Sequence, residues 1–417
     1  MIKKASSAKV REILQKPFGF KGASVDSLTV SHVKLETPDH TVYGSGIQSV
    51  LWSDGQVFEL FGLSRGDELM HDITRHALSL LKGTKTFYPP HVMKDIYSRC
   101  LRYGVERSGL PNLRKTFVLN ALVPVDNALW ILYARENGIA SYDGMLEEYE
   151  EDLSRRNNIL AAVPLITYGT ESGEIDRLLE EGYYFLKIKI GNGLEWDMER
   201  VRSIHEKTLH HETPYTRSQK PCLYLDANGT YRNPNDFRRL VDQMDREGIL
   251  PSVAMVEEPF PEELELDVRE FPVVVAGDES CHSAMETLER IDMGYRAIAL
   301  KPIAKTLTFT LDVLREAEKR SIPCFCADLT VTPLLVEWNK SFAARIRPFP
   351  GTEGGVLESN GASNYTNWEE LLSRLPMKDR DWVRPKKGVY RLSPEFFTSS
   401  AGILEYFEGE DLAYMEV

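Results

Sequence analysis

The amino-acid sequence predicts an α/β protein whose central part closes into a parallel barrel. Three observations predict it. From Ala161 onward, short apolar runs alternate seven or eight times with longer, charged, amphipathic segments. Ionisable residues recur where successive runs end, in the order lysine, aspartate, glutamate, aspartate, lysine. Neither flank shares this alternation. A doubly wound open sheet is the rival arrangement, but it seldom runs to eight units.

Residues 1 to 60 read as strands and turns. VSHVKLET and TVYGSGIQSVLW alternate apolar and polar residues, and Pro38-Asp39-His40 makes the turn between them. The GSG at 44–46 lacks the third glycine and the following helix of a dinucleotide fingerprint. From Asp67 to Gly138 the spacing is helical, as in ITRHALSLL and VDNALWILYAREN. MLEEYEEDLSRRN, 145–157, is charged throughout and reads as a solvated helix or connector. The predicted strands then fall at 161–168, 183–190, 222–226, 253–257, 273–277, 296–300, 322–326 and 354–358. EWDMERVRSIHEKTL, FRRLVDQMDREG and FTLDVLREAEKR suit outer helices, and HHETPYTRSQKP, 210–221, is a loop insertion. After 360, NYTNWEELLSRL reads as a helix and RPKKGVYRLSPEFFTSS as turns and strand. That tail is too short to fold alone and is expected to pack back on the N-terminal region.

Bulk properties narrow the function. With 417 residues and a net charge of −13, a phosphate-backbone partner is disfavoured. No uninterrupted apolar run approaches a membrane span, and MIKKASSAKVREILQKPF lacks the apolar core of a signal peptide. The five cysteines form no CxxC, which suggests reduced thiols and a cytoplasmic protein. Cys324 and Cys326, two apart in a predicted strand, read as core packing.

The chemistry begins at YYFLKIKIG, 183–191. A strand puts Lys187 and Lys189 on one face. An isolated Lys-x-Lys reads most simply as an edge strand with two solvated lysines. On a buried strand, however, desolvation and mutual repulsion would lower an ammonium pKa and make a neutral base. The third strand ends in Asp226, with Asn228 beyond. The fourth ends in Glu257 and Glu258, the fifth in Asp278 and Glu279, the sixth in Lys301. In a parallel barrel these ends converge on one rim. Three acids from neighbouring strands make a hard-oxygen cage suited to Mg²⁺, with lysines on either flank.

This ordered set, K-x-K, D-x-N, E-E-P, D-E-S and K, resembles the enolase superfamily, and within it the muconate-lactonizing type of the mandelate racemase/muconate lactonizing enzyme family. The resemblance implies a modified TIM barrel, (β/α)7β, with an α+β cap. The cap would comprise 1–158, the barrel 159–360, and a C-terminal segment, 361–417, would pack back on the cap. It implies Lys189 and Lys301 as acid/base groups on opposite faces and Lys187 as the electrostatic neighbour. Asp226, Glu257 and Asp278 would bind Mg²⁺, with Glu258 and Glu279 behind them. It also implies a homo-oligomer.

The implied reaction is abstraction of a proton α to a carboxylate of a small molecule. The step builds negative charge on the carboxylate, which a bound divalent cation stabilises more than the ground state. Two flanking lysines suit racemisation or epimerisation, and also cycloisomerisation. An acid-sugar dehydratase and a non-catalytic carboxylate-binding homologue are the alternatives. None of the nine histidines lies beyond His282, so CFCADLTV offers no histidine base. His282 reads as structural. PIAKTLT lacks the acidic, double-glycine stretch of many dipeptide epimerases, and GTEGGVLESNG carries no DxD. Glu358, Ser359 and Asn360 read equally as rim or as turn residues; Tyr168 and Thr170 are candidate substrate contacts. PFGFKGASVD, 17–26, is a candidate lid ahead of the first cap strand.

Overall fold

The computed structural model describes residues 1–20, 23–85, 88–406 and 408–417. Strands β1 (Lys4–Phe20) and β2 (Ala23–Glu36) form a long antiparallel hairpin, and β3 (Thr41–Gln48) pairs with β2. The turn between β2 and β3 falls at 38–40, where Thr37 accepts the His40 backbone N–H on its hydroxyl. The candidate lid is the tip of the β1–β2 hairpin, with Phe18 opposite Val25, rather than a segment ahead of the first strand. Of that segment, Lys21 and Gly22 lie outside the described residues.

Four helices complete this layer: α1 (Val50–Ser53), α2 (Gly55–Leu81), α3 (Pro89–Ser108) and α4 (Lys115–Glu136). The expected strand through VLW is helix instead. Asp54 ends it and caps the next, accepting N–H groups of Gln56 and Val57. Helix α4 is long and apolar enough to cross a membrane, but it is the core of this layer, buried along nearly all its length. The GSG in β3 lets α4 approach. A Cβ on Gly44 would lie 2.1 Å from the Pro124 carbonyl oxygen, and one on Gly46 2.6 Å from Pro124 Cδ.

The second sheet is the barrel. Its first strand is Ile159–Val163, continued beyond Pro164 as Leu165–Ile166. Then follow Phe185–Lys189, Cys222–Asp226, Val253–Glu257, Val275–Gly277, Ala297–Leu300, Cys324–Cys326 and Gly355–Glu358, all parallel. The eighth strand pairs back to the first, which closes the ring. Outward residues such as Leu186, Ile188, Leu223 and Leu225 pack beneath the helices. Inward residues such as Phe185, Tyr224, Met255 and Phe325 fill the interior.

Two expectations are corrected. Residues 258–274, between the fourth and fifth strands, contain no helix; buried Phe260, Val268 and Phe271 cover that side. The segment 145–157 is not solvated throughout, because Met145, Leu146, Tyr149 and Leu153 are buried. The 210–221 insertion sits at the N-terminal mouth of the barrel, where Thr216 bridges Thr352. In the tail, Val389–Arg391 pairs with the first barrel strand and Met415–Glu416 with β1.

Two layers meet through α4. Asp126 accepts from the backbone N–H (3.0 Å) and hydroxyl (2.6 Å) of Thr308, and Trp130 Nε1 donates to the same hydroxyl (3.1 Å). These bonds tie the cap to the helix Leu307–Lys319, a few residues beyond Lys301.

Candidate active site

Side-chain alternation places the site. On the second strand Phe185, Lys187 and Lys189 face inward; on the third, Tyr224 and Asp226; on the fourth, Met255 and Glu257. Parallel register sets Lys189 beside Asp226 and Asp226 beside Glu257. The interior is apolar up to Tyr224 and Phe325, and one residue pair further up the second, third and fourth strands it becomes charged. This is the C-terminal rim, where barrels of this kind carry their chemistry.

Lys187 is the hub. Its Nζ lies 2.9 Å from Asp226 Oδ2 and 3.0 Å from both Glu257 Oε2 and Glu358 Oε2, above the Tyr224 ring. Lys189 Nζ donates to Asp226 Oδ2 (2.7 Å) and Asn228 Oδ1 (2.5 Å). On the far side, Lys301 Nζ donates to Asp278 Oδ2, and Lys305 Nζ to Asp278 Oδ1 (3.0 Å) and the Cys281 carbonyl (3.2 Å). All of these side chains are buried.

The expected depression is not met at Lys187. Burial works to lower the Lys187 pKa, but Asp226, Glu257 and Glu358 outweigh it and hold the ammonium well above its ordinary value. Lys301 is likewise raised: burial opposes, and Asp278 and Glu257 prevail. The acids answer in kind. Despite burial, Lys187 and Lys189 pull the Asp226 carboxyl down, and Lys301 and Lys305 pull down Asp278. Glu257 goes the other way, pushed up by burial and by its neighbours Asp278 and Glu279 against the pull of Lys187 and Lys301.

Glu257, Asp278 and Glu279 offer carboxylate oxygens within 4.8 Å of one another. Glu257 Oε1 is buried with no hydrogen-bond partner. Hard oxygen donors, converging like charges and an orphaned buried oxygen together fit a divalent cation. Asp226 lies outside that cluster, and its Oδ2 is shared by two ammonium groups. Glu258 ties down the loop beyond the fifth strand, accepting from Asp278 N–H (2.6 Å) and the Ser280 hydroxyl (3.1 Å). Asn228 Nδ2 reaches Glu279 Oε1 at 3.3 Å.

A cavity of about 50 Å³ lies over this floor. Lys187, Lys189, Asp226, Asn228, Lys301, Glu358 and Asn360 line it from the barrel. Val25 and Leu28 of the hairpin and Val50, Leu51 and Trp52 of α1 close it from the cap. Tyr168 is not among the residues lining it; its hydroxyl donates to the Ile190 carbonyl (2.8 Å), and it borders the open groove alongside. His282 is buried against Glu262 (2.8 Å), away from the reacting floor.

Sequence reasoning missed Trp52, Lys305 and Asp328. Lys305 stands four residues after Lys301, a spacing that would have raised it. Asp328 ends the seventh strand and belongs to the same series of strand-end ions. Trp52 carries no signal in the chain, since only the docking of the cap brings it over Lys301.

Known proteins were compared with this chain. Residues 172–381 match the family described as "Enolase C-terminal domain-like". An L-Ala-D/L-amino acid epimerase of Populus trichocarpa is 21% identical, over 89% of this chain and 86% of its own length. The N-succinyl Arg/Lys racemase of Bacillus cereus superposes with a TM-score of 0.68 at 14% identity, covering 100% of this chain and 99% of its own. A dipeptide epimerase of Cytophaga hutchinsonii, complexed with Mg and the dipeptide D-Ala-L-Val, gives 0.64 at 16% identity over 88% of each chain. These neighbours are isomerases, and the fold is theirs. By the half of its length that matches and by the barrel and cap it shares with them, this chain belongs to the enolase superfamily, in its mandelate racemase and muconate-lactonizing branch.

Proposed function

We propose that the protein is an Mg²⁺-dependent isomerase that moves a proton on the carbon α to a carboxylate, by racemisation or epimerisation. The observation that carries this reading is the placement of Lys189 and Lys301. They end the second and sixth strands, with Asp226, Glu257 and Asp278 on the three strands between them, and both line one cavity. A substrate carbon held between them presents one face to each amine.

A divalent cation at Glu257, Asp278 and either Glu279 or Asp226 would stabilise the charge that develops on the substrate carboxylate. Lys189 or Lys301 removes the proton from one face, and the other amine delivers one to the opposite face. Lys187 stays charged among three carboxylates and adds positive potential at the floor. Trp52 and the hairpin exclude water from the cavity. Asp278 and Glu257, which would take the cation, are also the acids that hold Lys301 protonated, so loading the site and freeing that base are coupled.

The same reading takes a small-molecule carboxylate as substrate. We extend it to a cytoplasmic homo-oligomer divided near residues 158 and 360. Proton exchange tests it. Carboxylates incubated with enzyme and Mg²⁺ in D₂O should gain deuterium at the α-carbon while remaining chemically intact. A keto product without label in recovered substrate would assign the site to dehydration instead. Binding without exchange, unchanged in Lys189→Ala and Lys301→Ala, would make it a carboxylate receptor.

A further inference from the structure

The two flanking amines of the site are seated differently. Lys301 Nζ is held by Asp278 Oδ2 and the Trp52 ring. Lys189 Nζ is held by Asp226 Oδ2 (2.7 Å) and by a neutral amide, Asn228 Oδ1 (2.5 Å). Asn228 is buried and lines both the cavity and the groove alongside. An ammonium only donates, so the amide oxygen must face Lys189, and its NH₂ then faces Glu279 Oε1 (3.3 Å). The backbone holds the amide there. Asn228 has a φ of 47°, a left-handed conformation that Asn tolerates better than most residues. Its own N–H donates to Asp226 Oδ1 (3.1 Å). On either side, Ala227 N–H donates to the Glu257 carbonyl (3.1 Å) and Gly229 N–H to that of Glu258 (2.6 Å). The amide is thus an acceptor whose position is set by the turn, not by the lysine.

An ammonium has three N–H groups, and a neutral amine keeps two of them and gains a lone pair. Asp226 Oδ2 and Asn228 Oδ1 take two of the three positions around Lys189 Nζ, which fixes the third in space. There the neutral amine carries its lone pair, and there the ammonium carries the proton it delivers. We propose that Asn228 is a positioning residue for Lys189 alone: its amide oxygen aims that third position at the substrate carbon. This rests on the proton-transfer reading above. In that step the proton passes from the α-carbon to Nζ, and the C–H electron pair moves to the substrate carboxylate. Without the amide a single acceptor remains, Nζ turns about its bond to Cε, and the lone pair points away from the carbon for part of the time. Lys301, seated by other groups, keeps its direction.

The test uses the full chain with Mg²⁺ in D₂O and follows each enantiomer of mandelate, N-acetylleucine and 2-phenylpropionate separately. Their α-carbons bear oxygen, nitrogen and carbon in turn, so the result does not depend on that substituent. Asn228→Gly is the informative variant, because glycine removes the amide and accepts the left-handed backbone without strain. The enantiomer whose exchange Lys189→Ala abolishes should lose about tenfold or more in kcat, with KM little changed, the scale of a lost hydrogen bond to a charged group. The opposite enantiomer, served by Lys301, should exchange within about twofold of the wild-type rate, which also reports that the variant is folded. The Mg²⁺-induced rise in melting temperature should persist, which separates a misdirected amine from a disturbed acid cluster at Glu279. In protein labelled with ¹⁵N-lysine, water exchange of the Lys189 Nζ hydrogens should rise about tenfold or more in Asn228→Gly while that of Lys301 stays unchanged. Equal loss from both enantiomers, no loss from either, loss on the Lys301 side alone, or an unaltered Lys189 Nζ signal overturns the proposal. Symmetrical rates in Asn228→Gly beside an active wild type defeat this proposal and leave the proton-transfer reading intact. A wild type that labels none of the acids counts against that reading, and the Nζ signal then decides whether Asn228 seats Lys189.

Discussion

Lys301 Nζ lies 4.5 Å from the centre of the Trp52 ring, so a residue of the cap covers an amine of the barrel. The contact spans the two layers of the molecule. It supplies the Lys301 ammonium with a π face, and the ring lines the cavity above the amine. Trp52→Leu should leave the fold intact and lower the exchange rate about thirtyfold, the scale of a desolvated cation–π contact of roughly 2 kcal/mol. A rate unchanged in D₂O exchange would show that the ring is only packing.

Lys189 and Lys301 face opposite sides of the same cavity, so their removal should have opposite stereochemical signatures. Each substitution to alanine should abolish exchange from one enantiomer by roughly 10²–10⁴-fold. The proton NMR signal of each enantiomer in D₂O, followed separately, reads this directly. Equal loss for both enantiomers in both variants would contradict a two-base arrangement.

Glu257 concentrates the electrostatic demand for a cation, because burial and two neighbouring acids already disfavour its charge. Mg²⁺ should therefore raise the melting temperature of the wild type. The gain should approach about 2.7 kcal/mol when the ion is at a hundred times its dissociation constant. Glu257→Gln should lose most of that rise, and chelation should no longer shift its melting point. Differential scanning calorimetry with and without chelator checks both.

Acid should weaken the cap through His71. The ring lies between α2 and the hairpin, with its nitrogens 3.2 Å from the Ser7 hydroxyl and 3.1 Å from that of Ser31. Burial lowers its pKa to about 4, against 6.5 for the free side chain. The unfolded chain thus binds a proton at higher pH than the folded one. The contribution is complete above pH 6.5 and declines as pH falls toward 4, by at most about 3 kcal/mol. His32, also near 4, acts with the same sign. Glu408, pushed up to about 7 by burial, opposes both over the same range. Urea unfolding at pH 7 and pH 4.5 should therefore show a smaller loss for His71→Gln than for wild type.

A second buried ion pair lies outside the site. Lys340 and Glu337 are enclosed together, and Lys340 Nζ also donates to the Trp382 carbonyl (2.9 Å). Lys340→Met should destabilise the protein by about 3–5 kcal/mol, since Glu337 is left charged and buried. Adding Glu337→Leu should recover most of that loss. Chemical denaturation of the single and double variants measures it.

The barrel was legible because its strands are short, apolar and separated by amphipathic helices. The third and fourth strands fall where the spacing places them, at 222–226 and 253–257. Strand-end ions were legible for the same reason, since alternation in a parallel strand fixes which side chains face inward. The helix at 50–53 was not legible. VLW is a good strand sequence, and it becomes helix because Asp54 caps the following turn and accepts Arg114 N–H (2.9 Å), a contact from 60 residues away.

By itself, then, the sequence determined the order of strands and the identity of the ions that end them, because periodicity and side-chain chemistry are local properties. Tertiary structure alone decided how those acids are paired. Asp226 and Asp278 are both strand-end aspartates, yet Asp226 is shared between Lys187 and Lys189, while Asp278 pairs with Lys301 and Lys305 and stands with Glu257 and Glu279. It alone brought Trp52 over Lys301 and turned Asp328 toward the cavity. The reason is physical: a pKa, an orphaned oxygen or a ring above an amine depends on distances of a few ångströms between segments far apart in the chain, and those distances exist only once the cap has closed on the barrel.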